Sequence, residues 1–130
     1  MRFMMLVRST RESESGLMAD ESIFAAMARY NEELAKAGVL LAAEGLHPSS
    51  KGARVKFSGS KRTVVDGPFT ETKELIAGFW LIEVKSREEA IEWVKRCPGP
   101  FAGDSEIELR QVFGLDDYAE VLPHEQSTRP

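Results

Sequence analysis

A chain of 130 residues has room for one domain with a real hydrophobic core and too little for two. Hydrophobic residues make up 42% of it and charged residues 29%, which excludes a disordered chain and a membrane-embedded one. A net charge of −4 argues against nucleic acid as a partner, and the basic pairs Lys61-Arg62 and Lys95-Arg96 are too short to reverse that.

The N-terminal run Phe3 to Val7 is apolar, bounded by Arg2 and Arg8, and reads as a buried first strand. It is too short for the core of a signal peptide, and no run reaches bilayer-spanning length. With a single cysteine, Cys97, excluding a disulfide framework or a thiolate metal cluster, the expected location is cytoplasmic, with no membrane partner. Ser9 to Gly16 is polar and reads as a loop. Asp20 then has the chemistry of an N-cap, and Ile23, Phe24, Met27, Tyr30, Leu34 and Ala37 form a stripe of helical period that ends at Gly38.

Val39 to Leu46 is apolar on both alternating sets apart from Glu44, which predicts a central strand covered on both faces. His47-Pro48-Ser49-Ser50 breaks it. Arg54 to Phe57 and Arg62 to Val65 flank Ser58-Gly59-Ser60-Lys61, a polar hairpin set apart from the main sheet. Ala77 to Val84 is a second strand apolar on both faces. Ser86-Arg87-Glu88-Glu89 has the form of a capping box, opening a helix that carries Ala90, Ile91, Trp93, Val94 and Cys97 and stops before Pro98. Glu106 to Phe113 alternates as a strand with one wetter face. From Asp117 the chain turns polar, so a domain over 1–115 and a polar tail over 116–130 are expected.

With the hairpin set aside the order is β-α-β-β-α-β, the ferredoxin-like arrangement of an α+β domain. Two helices can cover only one face of such a sheet, yet two strands are apolar on both. A second copy of the chain, sheet against sheet, resolves the conflict, so a homodimer is expected.

One stretch has no secondary-structure explanation. In Val64 to Glu74, Gly67 and Pro68 force an irregular backbone, Phe69 places a large ring in a loop, and Asp66, Glu71, Lys73 and Glu74 supply four charges within nine residues. Val65-Asp66-Gly67-Pro68-Phe69, Glu71-Thr72-Lys73-Glu74 and Gly78-Phe79-Trp80-Leu81-Ile82 resemble the DGPF-domain branch of the YCII-related family. Ala37-Gly38-Val39-Leu40, Glu44-Gly45-Leu46, Glu89-Ala90 with Trp93, and Ile107-Glu108-Leu109-Arg110 resemble it too. The resemblance implies a ferredoxin-like chain forming a dimeric α+β barrel. It also implies relatives encoded beside, or fused to, extracytoplasmic-function sigma factors. Related YCII proteins carry a first-helix histidine proposed to act with an aspartate. Met27 stands where that histidine falls, so this chain departs from the pattern.

Asp66 is a candidate general base or ligand anchor, or simply a turn residue bonding its own backbone. Glu71 beside it would make a paired-carboxylate site, and His47 could move protons at neutral pH, although a histidine next to Pro48 is commonly just loop. Phe69, Lys73 and Glu74 are candidate substrate contacts against the alternatives of a plug for the loop and a solvated charge cluster. Glu44 and Arg110 interrupt apolar strands; either a cavity or a mutual ion pair explains them, and the ion pair is preferred. Trp80 and Trp93 read as core, and Cys97, at a helix C-terminus, as inert. His47, Asp66 and Glu71 are metal ligands by type but match no known spacing, and no glycine-rich phosphate loop is present, so neither a metal nor an organic cofactor is expected. Two function classes follow: an enzyme or binder acting on a small molecule at the Asp66–Glu74 loop, or a non-catalytic regulatory protein with a protein partner in sigma-factor-dependent transcription.

Overall fold

The computed structural model describes residues 1–16, 20–101 and 103–121. Strand β1 (Arg2–Arg8) buries Phe3, Met5 and Val7 on one face, as its alternation requires. The expected loop after it contains one helical turn, α1 (Arg11–Glu14). Thr10 accepts from the Ser13 N–H (3.1 Å) while its own N–H donates to Ser13 Oγ (2.9 Å), a reciprocal cap with serine where glutamate is usual.

Helix α2 (Glu21–Lys36) begins as expected at Asp20, whose carboxylate accepts from the Ile23 N–H (3.0 Å) and the Ser22 hydroxyl (2.7 Å). Those bonds, the Ser22 hydroxyl first, hold the Asp20 carboxyl below the usual aspartate range. Gly38, at φ +74°, takes the left-handed turn that returns the chain to the sheet.

The sheet also contains β2 (Leu40–Gly45), β5 (Ile76–Glu83) and β6 (Ile107–Gln111), in the order β2-β5-β1-β6 with every neighbour antiparallel. Strand β2 is therefore an edge strand, and its expected central position is corrected. Its register shifts between Leu40 and Ala42, so Leu40 and Ala43 reach the core while Leu41 stays 49% exposed. A doubly apolar run here reflects a bulge at an edge rather than cover on two faces.

Strands β3 (Ala53–Ser58) and β4 (Lys61–Asp66) form the separate hairpin, turning at Gly59 with φ +60°. Val55, Phe57 and Val64 on it are exposed, Phe57 to 72%. Helix α3 (Arg87–Arg96) starts at Ser86, whose hydroxyl accepts from the Glu89 N–H (3.1 Å). The expected capping box is displaced: the Glu89 carboxylate accepts from the Lys85 N–H (2.9 Å), one residue earlier.

Phe3, Met5, Val7, Trp80 and Ile82 pack with Tyr30 and Leu34 of α2 and Ala90 of α3 into one buried core. The opposite face of the sheet carries the pairs Met4–Leu81 and Leu6–Phe79, half-buried. Among the described residues the result is a mixed α+β fold of antiparallel sheets and three helices, loosely following the ferredoxin-like order. The main sheet is open, with β2 and β6 as edges, rather than a closed barrel. A short 3₁₀ turn, Leu115–Tyr118, follows β6 and lies across the expected boundary between domain and tail.

Candidate functional site

The 66–74 loop is tied down by backbone chemistry. The Gly67 N–H donates to the Gly52 carbonyl (3.0 Å), and a Cβ on Gly67 would lie 1.8 Å from the Ser49 carbonyl oxygen, so only glycine fits. The Gly67-Pro68 peptide is cis. Ser49 is the knot: its hydroxyl oxygen accepts from the Phe69 N–H (2.9 Å) and donates to one oxygen of Glu14, while its N–H donates to the other (3.0 Å). The Arg54 guanidinium lies 3.8 Å from the centre of the half-buried Phe69 ring and 4.0 Å from the Glu74 carboxylate.

The candidate residues scatter around this knot. Asp66 ends β4, exposed, and Glu71 is exposed just before the 3₁₀ turn Thr72–Glu74 that carries Lys73 and Glu74. His47 is exposed beyond the end of β2. Lys73 lies on an open polar cleft of about 500 Å³ with Arg8, Asp104 and Glu106.

Glu44 sits on β2 and Arg110 on β6, the two edges of the sheet, about 14 Å apart at the usual strand spacing. Their expected ion pair is corrected. Arg110 instead pairs with Glu108 on its own strand (3.2 Å), which Arg8 also meets at 3.5 Å.

A second cavity, half-open and of about 320 Å³, lies between α2, the β2–β5 edge and the loop after α3. Val7, Phe24, Met27, Ala43, Trp80 and Phe101 line it, with Asn31. The face of α2 that predicts a core also builds this wall, because Met27 and Asn31, four residues apart, lie on the same side. Asn31 was not singled out in the sequence; its signal is a lone amide on an otherwise apolar stripe.

The cavity rests on an aromatic floor. Trp80, buried as expected, donates its indole N–H to Asn31 Oδ1 (2.6 Å) and packs edge-on against Tyr30, centroids 5.5 Å apart at 89°. The Tyr30 hydroxyl donates to the Trp93 carbonyl (2.6 Å), and burial, reinforced by nearby Cys97 and Glu33, raises its pKa above the usual tyrosine value. Burial likewise pushes the Cys97 thiol up to about 12, consistent with an inert cysteine. Trp93 is only half-buried, with the Arg96 guanidinium 4.7 Å from its ring centre.

Among the described residues no three His, Cys, Asp or Glu side chains come together as a metal site, and no helix is long and apolar enough to cross a membrane. His124 lies outside the described residues.

Comparison with known proteins bears out the YCII-related family. Residues 1–115 match the YCII-related domain. An uncharacterized protein of Rhizobium meliloti (strain 1021) is 33% identical over 93 residues, covering 72% of this chain and 75% of that protein. The chain belongs to the YCII-related domain family.

Proposed function

We propose that this YCII-related chain binds a small, largely apolar molecule in the cavity beneath α2. The observation that supports this best is the cavity itself: about 320 Å³, walled by Met27, Trp80 and Phe101, with Asn31 as its neutral polar side chain and Glu44 at its β2 border. Small-molecule sites typically span about 300–1,000 Å³ and pair an apolar lining with few polar groups. Met27 is also the position where the family resemblance puts a histidine, so the same wall serves this chain without a titrating group. The reading is of binding, with no chemical step assigned.

The remaining parts of the reading concern its setting. We place the chain in the DGPF branch on its Asp66–Phe69 motif. We place it in the cytoplasm as a homodimer whose open sheet faces, carrying Met4, Leu6, Phe79 and Leu81, meet to close a dimeric α+β barrel.

A second reading is an interaction protein of sigma-factor-dependent transcription. What favours it is the hairpin, which displays Val55, Phe57 and Val64 beside Arg54, Lys56, Lys61 and Arg62.

Thermal shifts against a metabolite panel separate these, because a ligand that binds only the folded state raises its melting temperature. Compounds should stabilise the wild type and Asp66→Asn alike, and lose their effect in Met27→Trp and Ala43→Leu, which fill the cavity from opposite walls. Loss in Asp66→Asn alone would move the site to the loop. There Asp66 would serve as base with Glu71 and His47, and Phe69, Lys73 and Glu74 as substrate contacts. No shift with any compound would favour the interaction protein.

A further inference from the structure

The hydrogen bond at the cavity floor determines more than it first shows. An indole N–H only donates, so the Asn31 atom 2.6 Å from Trp80 Nε1 must be the amide oxygen. That contact fixes an orientation that would otherwise be ambiguous between oxygen and nitrogen. The Asn31 NH2 is thereby placed on the other arm of the amide, directed away from the indole nitrogen.

That NH2 group has no hydrogen-bond acceptor among the described residues. No buried side-chain nitrogen or oxygen among them lacks a partner, so the group opens onto accessible space. Asn31 and Trp80 both line the cavity, and the indole N–H is already used. The Asn31 NH2 is therefore the remaining side-chain donor on that wall. Glu44 also borders the cavity, but alternation along β2 puts its side chain on the face opposite Ala43, away from α2.

We infer that the ligand of this cavity is an uncharged, largely apolar molecule that presents one acceptor oxygen, a carbonyl or ether, to the Asn31 NH2. The inference rests on the reading of the cavity as a binding site and adds the ligand's class. The physical reasons are two. A charged ligand would lose its hydration against Met27, Phe101 and Trp80 with no opposite charge to meet it. A purely apolar ligand would cover the NH2 and leave it unbonded, which is unfavourable relative to one that accepts from it. Trp80 holds the amide in place, so the donor is oriented before the ligand arrives.

The test uses acetophenone and ethylbenzene, which share an aromatic ring and size but differ in the acceptor oxygen, and phenylacetate as the charged counterpart. Binding is followed by Trp fluorescence and by the Asn31 side-chain amide signals in nitrogen-edited NMR spectra. Acetophenone should bind about tenfold more tightly than ethylbenzene, with phenylacetate weaker than both. Its addition should shift the Asn31 amide signals. Asn31→Asp keeps an oxygen for the Trp80 indole and removes the donor, so the acetophenone preference should fall to about onefold.

The NMR result on the wild type stands whether or not the variant folds. Equal binding of acetophenone and ethylbenzene, with the Asn31 signals unmoved, would overturn the ligand class while keeping the cavity as a site. Binding of none of the three overturns the cavity reading as well.

Discussion

The 66–74 loop gathers Asp66, Glu71, Lys73 and Glu74 around a ring and a forced turn, whereas the cavity beneath α2 offers one amide among apolar walls. The loop's backbone and its Phe69 ring are fastened within the fold, while Asp66, Glu71 and Lys73 stay exposed on its surface. The Phe69 N–H goes to Ser49, Ser49 goes to Glu14, the Gly67 N–H goes to Gly52, and Arg54 covers Phe69 and reaches Glu74. The cavity spends almost nothing and keeps its volume. A forced turn in a sequence can therefore mark a fastening, while a stripe that reads as core can leave room for a guest.

Substitutions can break or sharpen this contrast. The largest effect is expected at Gly67→Ala, because the added Cβ meets a backbone carbonyl that cannot rotate away. Stability should fall by about 3 kcal/mol or more by urea titration, and hydrogen exchange at the Phe69 amide should speed up.

Trp80→Phe should cost about 2–3 kcal/mol, from lost volume and an Asn31 amide without its indole. It should also abolish the acetophenone preference, since the donor is no longer held. Ser49→Ala should cost about 1–2 kcal/mol, because the Phe69 N–H loses its acceptor and Glu14 loses a donor. Ligand affinity at the cavity should not change. A parallel loss of affinity would show the two regions to be one site.

Alkaline titration probes the cavity floor. Burial keeps the Tyr30 phenol and the Cys97 thiol neutral in the folded chain, with both pKa values raised. In the unfolded chain they ionise at about 9 for the thiol and about 10 for the phenol. Their contribution to stability is therefore complete below about pH 9 and is lost as pH rises toward the higher folded values. Thermal melts should decline above that point, and Cys97→Ser and Tyr30→Phe should each flatten part of the decline. The smallest effect is expected at Asp66→Asn and Glu71→Gln, both exposed, where stability should stay within about 0.5 kcal/mol of wild type.

Local structure was largely legible in the residues. Asp20 caps α2, Gly38 ends it, Ser86 opens α3 and Pro98 stops it, because capping and chain reversal depend on a few neighbouring atoms. The one-turn α1 was missed because its cap uses Ser13 in place of a glutamate. The Glu44–Arg110 pair was misjudged because pairing across a sheet depends on strand order, which no local pattern encodes. The same ignorance of order made β2 look central.

By itself, then, the sequence determined the six strands, the two longer helices, the caps at Asp20, Gly38 and Ser86, the buried stripe of α2 and the family that residues 1–115 belong to. The elements, caps and stripe follow from short-range sterics and periodicity, which each segment carries within itself, and the family from the motifs that the segments spell. The tertiary structure alone decided that β2 lies at an edge, that Ser49 knots the loop to Glu14, and that Asn31 meets Trp80 with its NH2 left over. Each of those joins residues twenty or more positions apart, so it depends on how the elements pack, and packing is a property of the whole chain.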